Sequence, residues 1–414
     1  MKILTNGFVK YPCLSIFVSF LSIYMISLAT DVTWGGGDSP KFAMLVDSFT
    51  FGLSATSHSL YILFAKFFSS LIPFGGIAYK LNLFSAVCAA TVLVLLFLIL
   101  KEIGFGHIIS LLTVCALGFA HTFWTLAVIT EVYMTHLVIV GLVFWQNLLF
   151  IKNPTKPLAM SICFSFGLGL SLHHLIYFTG PALLLTLISC LISKRIKLNI
   201  FDLFLLIISL LLGSSFIIFL IADSLQDGWT ITHLLSEVFS FLLPISPVAN
   251  VSRLFISEDN TMYNLMKYFL PSNQKIILLL GLNFVGISFI AGFFGIITTL
   301  KKWSLTKSVL ALNTFFFFLF PLGYATVDVY HFCLFPYFFF SIYIAFGLQY
   351  LLTLFETKVK INSRKSLFTT MFALVILVPI STYSGLPFVS NKLNIEFFNA
   401  RKLPYRNNAW YFLF

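Results

Sequence analysis

The residues best suited to chemistry in this 414-residue chain lie in Thr33-Trp34-Gly35-Gly36-Gly37-Asp38-Ser39-Pro40-Lys41, directly after the first long apolar segment. Carboxylates are scarce, fourteen in all, and a glycine-rich loop both follows a tight path and lets a bulky ligand come close. A carboxylate held there within reach of a hydroxyl can take its proton. The bland alternative is an aspartate accepting backbone hydrogen bonds in a Gly-Asp-Ser-Pro turn. On this stretch alone the two stand level. Other ionisable groups recur at the ends of non-adjacent apolar runs: His58, His121 with Glu131, His173 with His174, and Asp328 with His331. Together they suggest one outward-facing cavity, although any single histidine taken alone reads more readily as a wetted interfacial residue than as part of a site. Asp328 and His331 share a face if a helix starts there, but no HExxH or second paired motif accompanies them, so neither a metal nor another cofactor is expected.

The elements that must position these groups are membrane spans. With 59% hydrophobic and only 9% charged residues, the chain is an all-α polytopic membrane protein. Apolar runs at 11–29, 81–100, 108–122, 132–151, 157–172, 174–193, 200–222, 276–300, 308–326, 332–355 and 367–386 give about 11 transmembrane helices. The first is expected to stay as a span and not to be cleaved as a signal peptide. The run from Ser59 to Ile72 falls short of the roughly 20 residues that a bilayer core requires and carries Lys66, so it reads as a juxtamembrane helix.

Charge supports this count. With the N-terminus cytoplasmic, the inner segments hold fifteen cations against three carboxylates, a net of +12, and the outer ones ten against eleven, a net of −1, which together give the stated +11. The basic balance therefore reports topology, and nucleic acid is not an expected partner. The long outer regions are 30–80, 223–275 and a short C-terminal tail, 387–414, behind a membrane domain spanning 1–386. The six cysteines all fall in apolar runs, which leaves no disulfide framework. The 51 phenylalanines read as lipid-facing and inter-helix packing.

Several blocks, in order, resemble a multi-span membrane family long catalogued as a domain of unknown function. Its animal member is a protein O-mannosyltransferase, and it has the C-type glycosyltransferase fold. Thr33-Trp34 with Asp38-Ser39 is similar to the family's first outer loop, and His58-Ser59-Leu60-Tyr61 to the motif leading its short helix. Lys80-Leu81-Asn82-Leu83-Phe84-Ser85, Phe123-Trp124 with Glu131-Val132-Tyr133, Gly169-Leu170-Ser171-Leu172-His173-His174 and Asp328-Val329-Tyr330-His331-Phe332 resemble further blocks. Two departures stand out. Pro40-Lys41 replaces the family's Gly-Glu, which removes a second acid from the loop, and Ala55-Thr56-Ser57 replaces its Pro-Pro-Gly.

The resemblance implies juxtamembrane helices within the first outer loop and transfer of a sugar, possibly mannose to protein, from a polyprenyl-phosphate donor. The acceptor would be a protein or glycan on the periplasmic or lumenal side, with a bacterial inner membrane favoured over the endoplasmic reticulum. Asp38 would be the base, and Lys41, His58, Tyr61, Glu131, Tyr133, His173, His174 and Asp328 would bind substrate. Lys41, Lys66, Lys80, Arg253 and Lys267 are the outer cations open to the leaving phosphate. The rivals are a solute or lipid-carrier transporter, which would place ionisable groups near mid-span, and a non-catalytic family member acting in assembly.

Overall fold

The computed structural model describes residues 11–33, 38–52, 58–232, 279–301, 303–323, 329–355, 357 and 364–393. The first outer loop is built on two short helices between the first two long apolar runs. Helix α1 (Pro12–Ile26) leads to α2 (Ser39–Ser48), which starts behind Asp38 with Pro40 in its first turn and stops at Phe49, whose φ of 53° is left-handed. Helix α3 (Ser59–Leu71) follows His58, also left-handed at φ 47°, and its 13 residues match the juxtamembrane helix expected there. Helix α4 (Ile77–Ile103) ends at Gly104, where φ is 108° and the turn brings Gly104 and Phe105 N–H groups back to the Leu100 carbonyl.

The apolar run at 108–122 is not one rod. It breaks into α5 (His107–Gly118) and α6 (His121–Ala127), which meet at 71°. In a bilayer the backbone groups freed by such a break must find partners inside the protein. Tyr24 Oη donates to the Gly118 carbonyl at 2.9 Å, the His121 N–H donates to Tyr383 Oη at 3.2 Å, and the Thr122 N–H donates to Asn283 Oδ1 at 2.7 Å. Beyond α7 (Val132–Lys152) and α8 (Lys156–Leu172), a 3₁₀ turn (His174–Thr179) opens α9 (Gly180–Ile192). The run at 200–222 also breaks, into α10 (Ile200–Gly213) and α11 (Ser215–Gln226), bent by 66°. The described chain then continues through α12 (Ile287–Lys301), α13 (Leu305–Gly323), α14 (Val329–Phe332), α15 (Leu334–Leu354) and α16 (Arg364–Leu393).

Within the described residues the apolar runs fall on these helices or bent pairs, with α12 taking only the later part of the run at 276–300. Among the described residues six helices are long and apolar enough to cross a membrane, or eight if each bent pair is one span, while α1, α8 and α12 are shorter apolar helices. The protein is a multi-pass membrane protein. Glycines set its closest contacts: a Cβ on Gly347 of α15 would strike the Ala291 carbonyl of α12, and one on Gly295 would strike that of Tyr343. Small residues let helix backbones approach this closely where lipid offers no hydrophobic drive between helices. Helices α4, α7 and α15 are the most enclosed, and the polar residues gathered at the N-terminal ends of α4 and α7 lie in this protected interior.

Candidate active site

Asp38 precedes α2 but does not cap it. Its side chain makes no capping hydrogen bond, and the backbone instead holds the residue in place. The Asp38 carbonyl accepts from the Phe42 N–H at 2.9 Å, and the Asp38 N–H donates to Glu131 Oε1 at 3.1 Å, across 93 residues of sequence. Glu131 is 2% exposed and stands in extended conformation immediately before α7, where the positive end of the helix dipole favours a carboxylate. Lys41 stands where the resemblance leads one to expect a second acid, and a carboxylate from the residue before α7 meets the Asp38 backbone.

Behind this pair lies a column of rings. His58 stacks on His173 with centroids 4.7 Å apart and planes 13° apart. His173 in turn lies 4.3 Å from His174, 5.1 Å from His136 and 5.8 Å from Tyr133. Tyr133 also meets His331 at 5.6 Å, and Phe42 bridges His58 and Tyr61 at 5.9 and 4.8 Å. His58 Nδ1 lies 3.3 Å from the Leu172 carbonyl, which can only accept, so that nitrogen carries a proton. His173 Nδ1 accepts from the Leu175 N–H at 3.2 Å, which puts the proton of its neutral ring on Nε2.

Of these rings, His58 and His173 are held in the neutral form. Burial, helped by the charges of His174 and Lys41 and opposed by the Leu172 hydrogen bond, pushes His58 down to about 3. Burial, followed by the charges of His174, His58 and His136, holds His173 well below its usual range. Neutral rings offer a hydroxyl both a donor and an acceptor but give a phosphate little charge. Face-to-face stacking also prevents their lone pairs from converging on one ion, and among the described residues no group of His, Cys, Asp or Glu is arranged to hold a metal.

The structure thus brings Asp38, His58, Tyr61, Glu131, Tyr133, His173 and His174 into one neighbourhood, with Lys41 near enough for its charge to act on His58. Asp328, Arg253, Lys267 and the segment from Trp34 to Gly37 lie outside the described residues. His121 belongs elsewhere, its ring against Tyr383 at 5.5 Å. Lys66 is engaged at a distance from the pair, donating to the Asp47 carbonyl at 2.9 Å over the Phe49 ring. The wetted-interface reading fails for His58, His173 and His331, which are all buried. Sequence reasoning missed His136, which is fully buried with neither ring nitrogen hydrogen-bonded. Its one signal was spacing, since it sits three residues after Tyr133 and therefore on the same face of α7.

A multi-span helical chain with this arrangement defines a class. The fold is that of the C-type glycosyltransferases. ArnT from Cupriavidus metallidurans in the apo state aligns at a TM-score of 0.54 with 13% identity, over 99% of this chain and 74% of that one. The same protein bound to undecaprenyl phosphate gives 0.53 and 14%, over 97% and 75%. The Archaeoglobus fulgidus oligosaccharyltransferase, tethered to an acceptor peptide, gives 0.52 and 11%, over 99% and 60%. Residues 55–196, about a third of the chain, match the family described as "Protein O-mannosyl-transferase TMEM260 N-terminal domain". The Mus musculus protein O-mannosyl-transferase TMEM260 is 26% identical over 168 residues, 39% of this chain. The match covers 23% of the mouse protein's length. The family segment contains His58, Tyr61, Glu131, Tyr133, His173 and His174, while Asp38 and Lys41 lie ahead of it.

Proposed function

We propose that the protein is a glycosyltransferase that moves a sugar from a polyprenyl-phosphate-linked donor to an acceptor hydroxyl on the non-cytoplasmic side of its membrane. The observation that carries this reading is the Asp38–Glu131 contact, in which the Glu131 carboxylate accepts from the Asp38 backbone N–H and so anchors a residue whose own side chain makes no helix-capping bond. Asp38 takes the proton of the acceptor hydroxyl as its oxygen attacks the anomeric carbon. The sugar–phosphate C–O bond breaks, its electrons leave with the lipid phosphate, and a single displacement inverts the anomeric centre. Lys41, three residues from the base, stabilises the leaving phosphate.

His58, His173, His174, Tyr61 and Tyr133 hold sugar and acceptor hydroxyls, with Asp328 as a further substrate contact. The named relatives favour mannose as the sugar and a protein as the acceptor. The charge map supports a cytoplasmic N-terminus and an outer C-terminus, and the membrane we propose is a bacterial inner membrane. The test uses full-length protein in nanodiscs, undecaprenyl-phosphate-linked radiolabelled mannose and a Ser/Thr-rich peptide. Asp38→Asn should abolish transfer without changing the yield of folded protein, and a fully active variant would remove Asp38 from the mechanism.

A further inference from the structure

The carboxylates proposed to work together come from two straps that are far apart in sequence, and one buried amide joins those straps. Asn82, in the first turns of α4, is fully buried. Its Nδ2 donates to the Ala29 carbonyl at 2.7 Å and to the Asp31 carbonyl at 3.2 Å, on the strap leading to Asp38. Its Oδ1 accepts from Thr130 Oγ1 at 2.6 Å, on the strap ending in Glu131. The Ala29 N–H, which donates to the Val128 carbonyl at 3.1 Å, is a further direct tie between the straps. Asn82 therefore spends both donors on one strap and its acceptor on the other, a division that neither aspartate nor leucine can reproduce.

We infer that Asn82, acting through Thr130, is a positioning residue that sets the register between Asp38 and Glu131, a role that rests on the reading of Asp38 as the base. It touches no substrate. Its effect is geometric: it fixes where the two straps start, and a displacement of about 1 Å at a reacting group can cost on the order of a hundredfold in rate.

Thr130→Val is the sharper test, because it deletes one hydroxyl from a buried site with little change in volume, and Thr130→Ser restores the hydroxyl. In the nanodisc assay Thr130→Val and Asn82→Ala should lower kcat about tenfold or more, leave KM for the lipid donor unchanged, and speed amide hydrogen exchange in residues 29–33. Thr130→Ser should recover most of kcat. If Asp38→Asn is inactive while Thr130→Val and Asn82→Ala keep wild-type kcat per folded molecule, the positioning role is wrong and the reading of Asp38 stands. Full activity of Asp38→Asn would overturn both. A loss of folded protein with unchanged kcat in what remains would mark Asn82 as purely structural.

Discussion

Glu131 can act in two ways, and a pair of substitutions separates them. If its task is to hold Asp38 through the 3.1 Å bond to the Asp38 N–H, the relevant quantity is the strength of a hydrogen bond to a charged acceptor, about 1.5–3 kcal/mol. Glu131→Ala deletes it. At about 1.4 kcal/mol per factor of ten, the rate should fall roughly 10- to 150-fold. Glu131→Gln keeps an acceptor oxygen in the same place, and a neutral bond is worth about 1 kcal/mol. Only the difference is lost, so the fall should be on the order of fivefold. Single-turnover transfer from undecaprenyl-phosphate mannose in nanodiscs reads both, with melting temperature as the control. A Gln variant as inactive as the Ala variant would refute the anchoring argument. Glu131 would then contribute charge or a proton directly, and the role of base would pass to it from Asp38. Wild-type activity in Glu131→Ala would show that the contact does no work.

The neutral His58 ties stability to pH. Its folded value of about 3 lies below the free value of 6.5, so between these limits the unfolded chain binds the extra proton and stability rises with pH. Its contribution is complete above about pH 6.5 and is lost as pH falls towards 3, at about 1.4 kcal/mol per unit. Thermal unfolding of the detergent-solubilised protein at pH 7, 5 and 4 should follow that slope, and His58→Asn, which tolerates the left-handed backbone, should flatten it. An unchanged slope would remove His58 as its cause. His136→Leu replaces a buried ring that has no hydrogen-bond partner with an apolar side chain of similar size, so the melting temperature should rise. A fall would mean that the ring holds a polar partner in the native protein. Gly347→Ala drives a methyl group into the Ala291 backbone carbonyl, which has no rotamer to escape by. It should cost about 1–3 kcal/mol and lower the melting temperature, and an unchanged value would show that α12 and α15 can slide apart.

The parts of this molecule that were legible in sequence are those set by the solvent. A bilayer demands length and apolarity, so the long runs led to helices wherever the described residues cover them, and Lys66 with too few apolar residues marked α3 as something other than a span. The breaks in α5–α6 and α10–α11 escaped because hydropathy is continuous through Gly118 and Gly213, while the groups that make the first break tolerable, Tyr24, Asn283 and Tyr383, come from distant segments. The site was legible to the same degree. Residues at the ends of runs stood out because ionisable groups are rare, whereas His136 was hidden inside an apolar run, and Asn82, an uncharged amide, carries no signal of the partners it meets across the fold.

The substitution at Lys41 carries the most weight for chemistry. Judged along the chain it removes an acid from the catalytic loop, and in space it does not leave Asp38 without one, because Glu131 arrives from α7. Under the proposed mechanism, a cation three residues from Asp38 and a carboxylate delivered from the residue before α7 would divide the work that two acids in one loop would have shared. That division requires the two straps to keep their register, so in this chain the amide of Asn82 bears on the site as closely as the residues that line it.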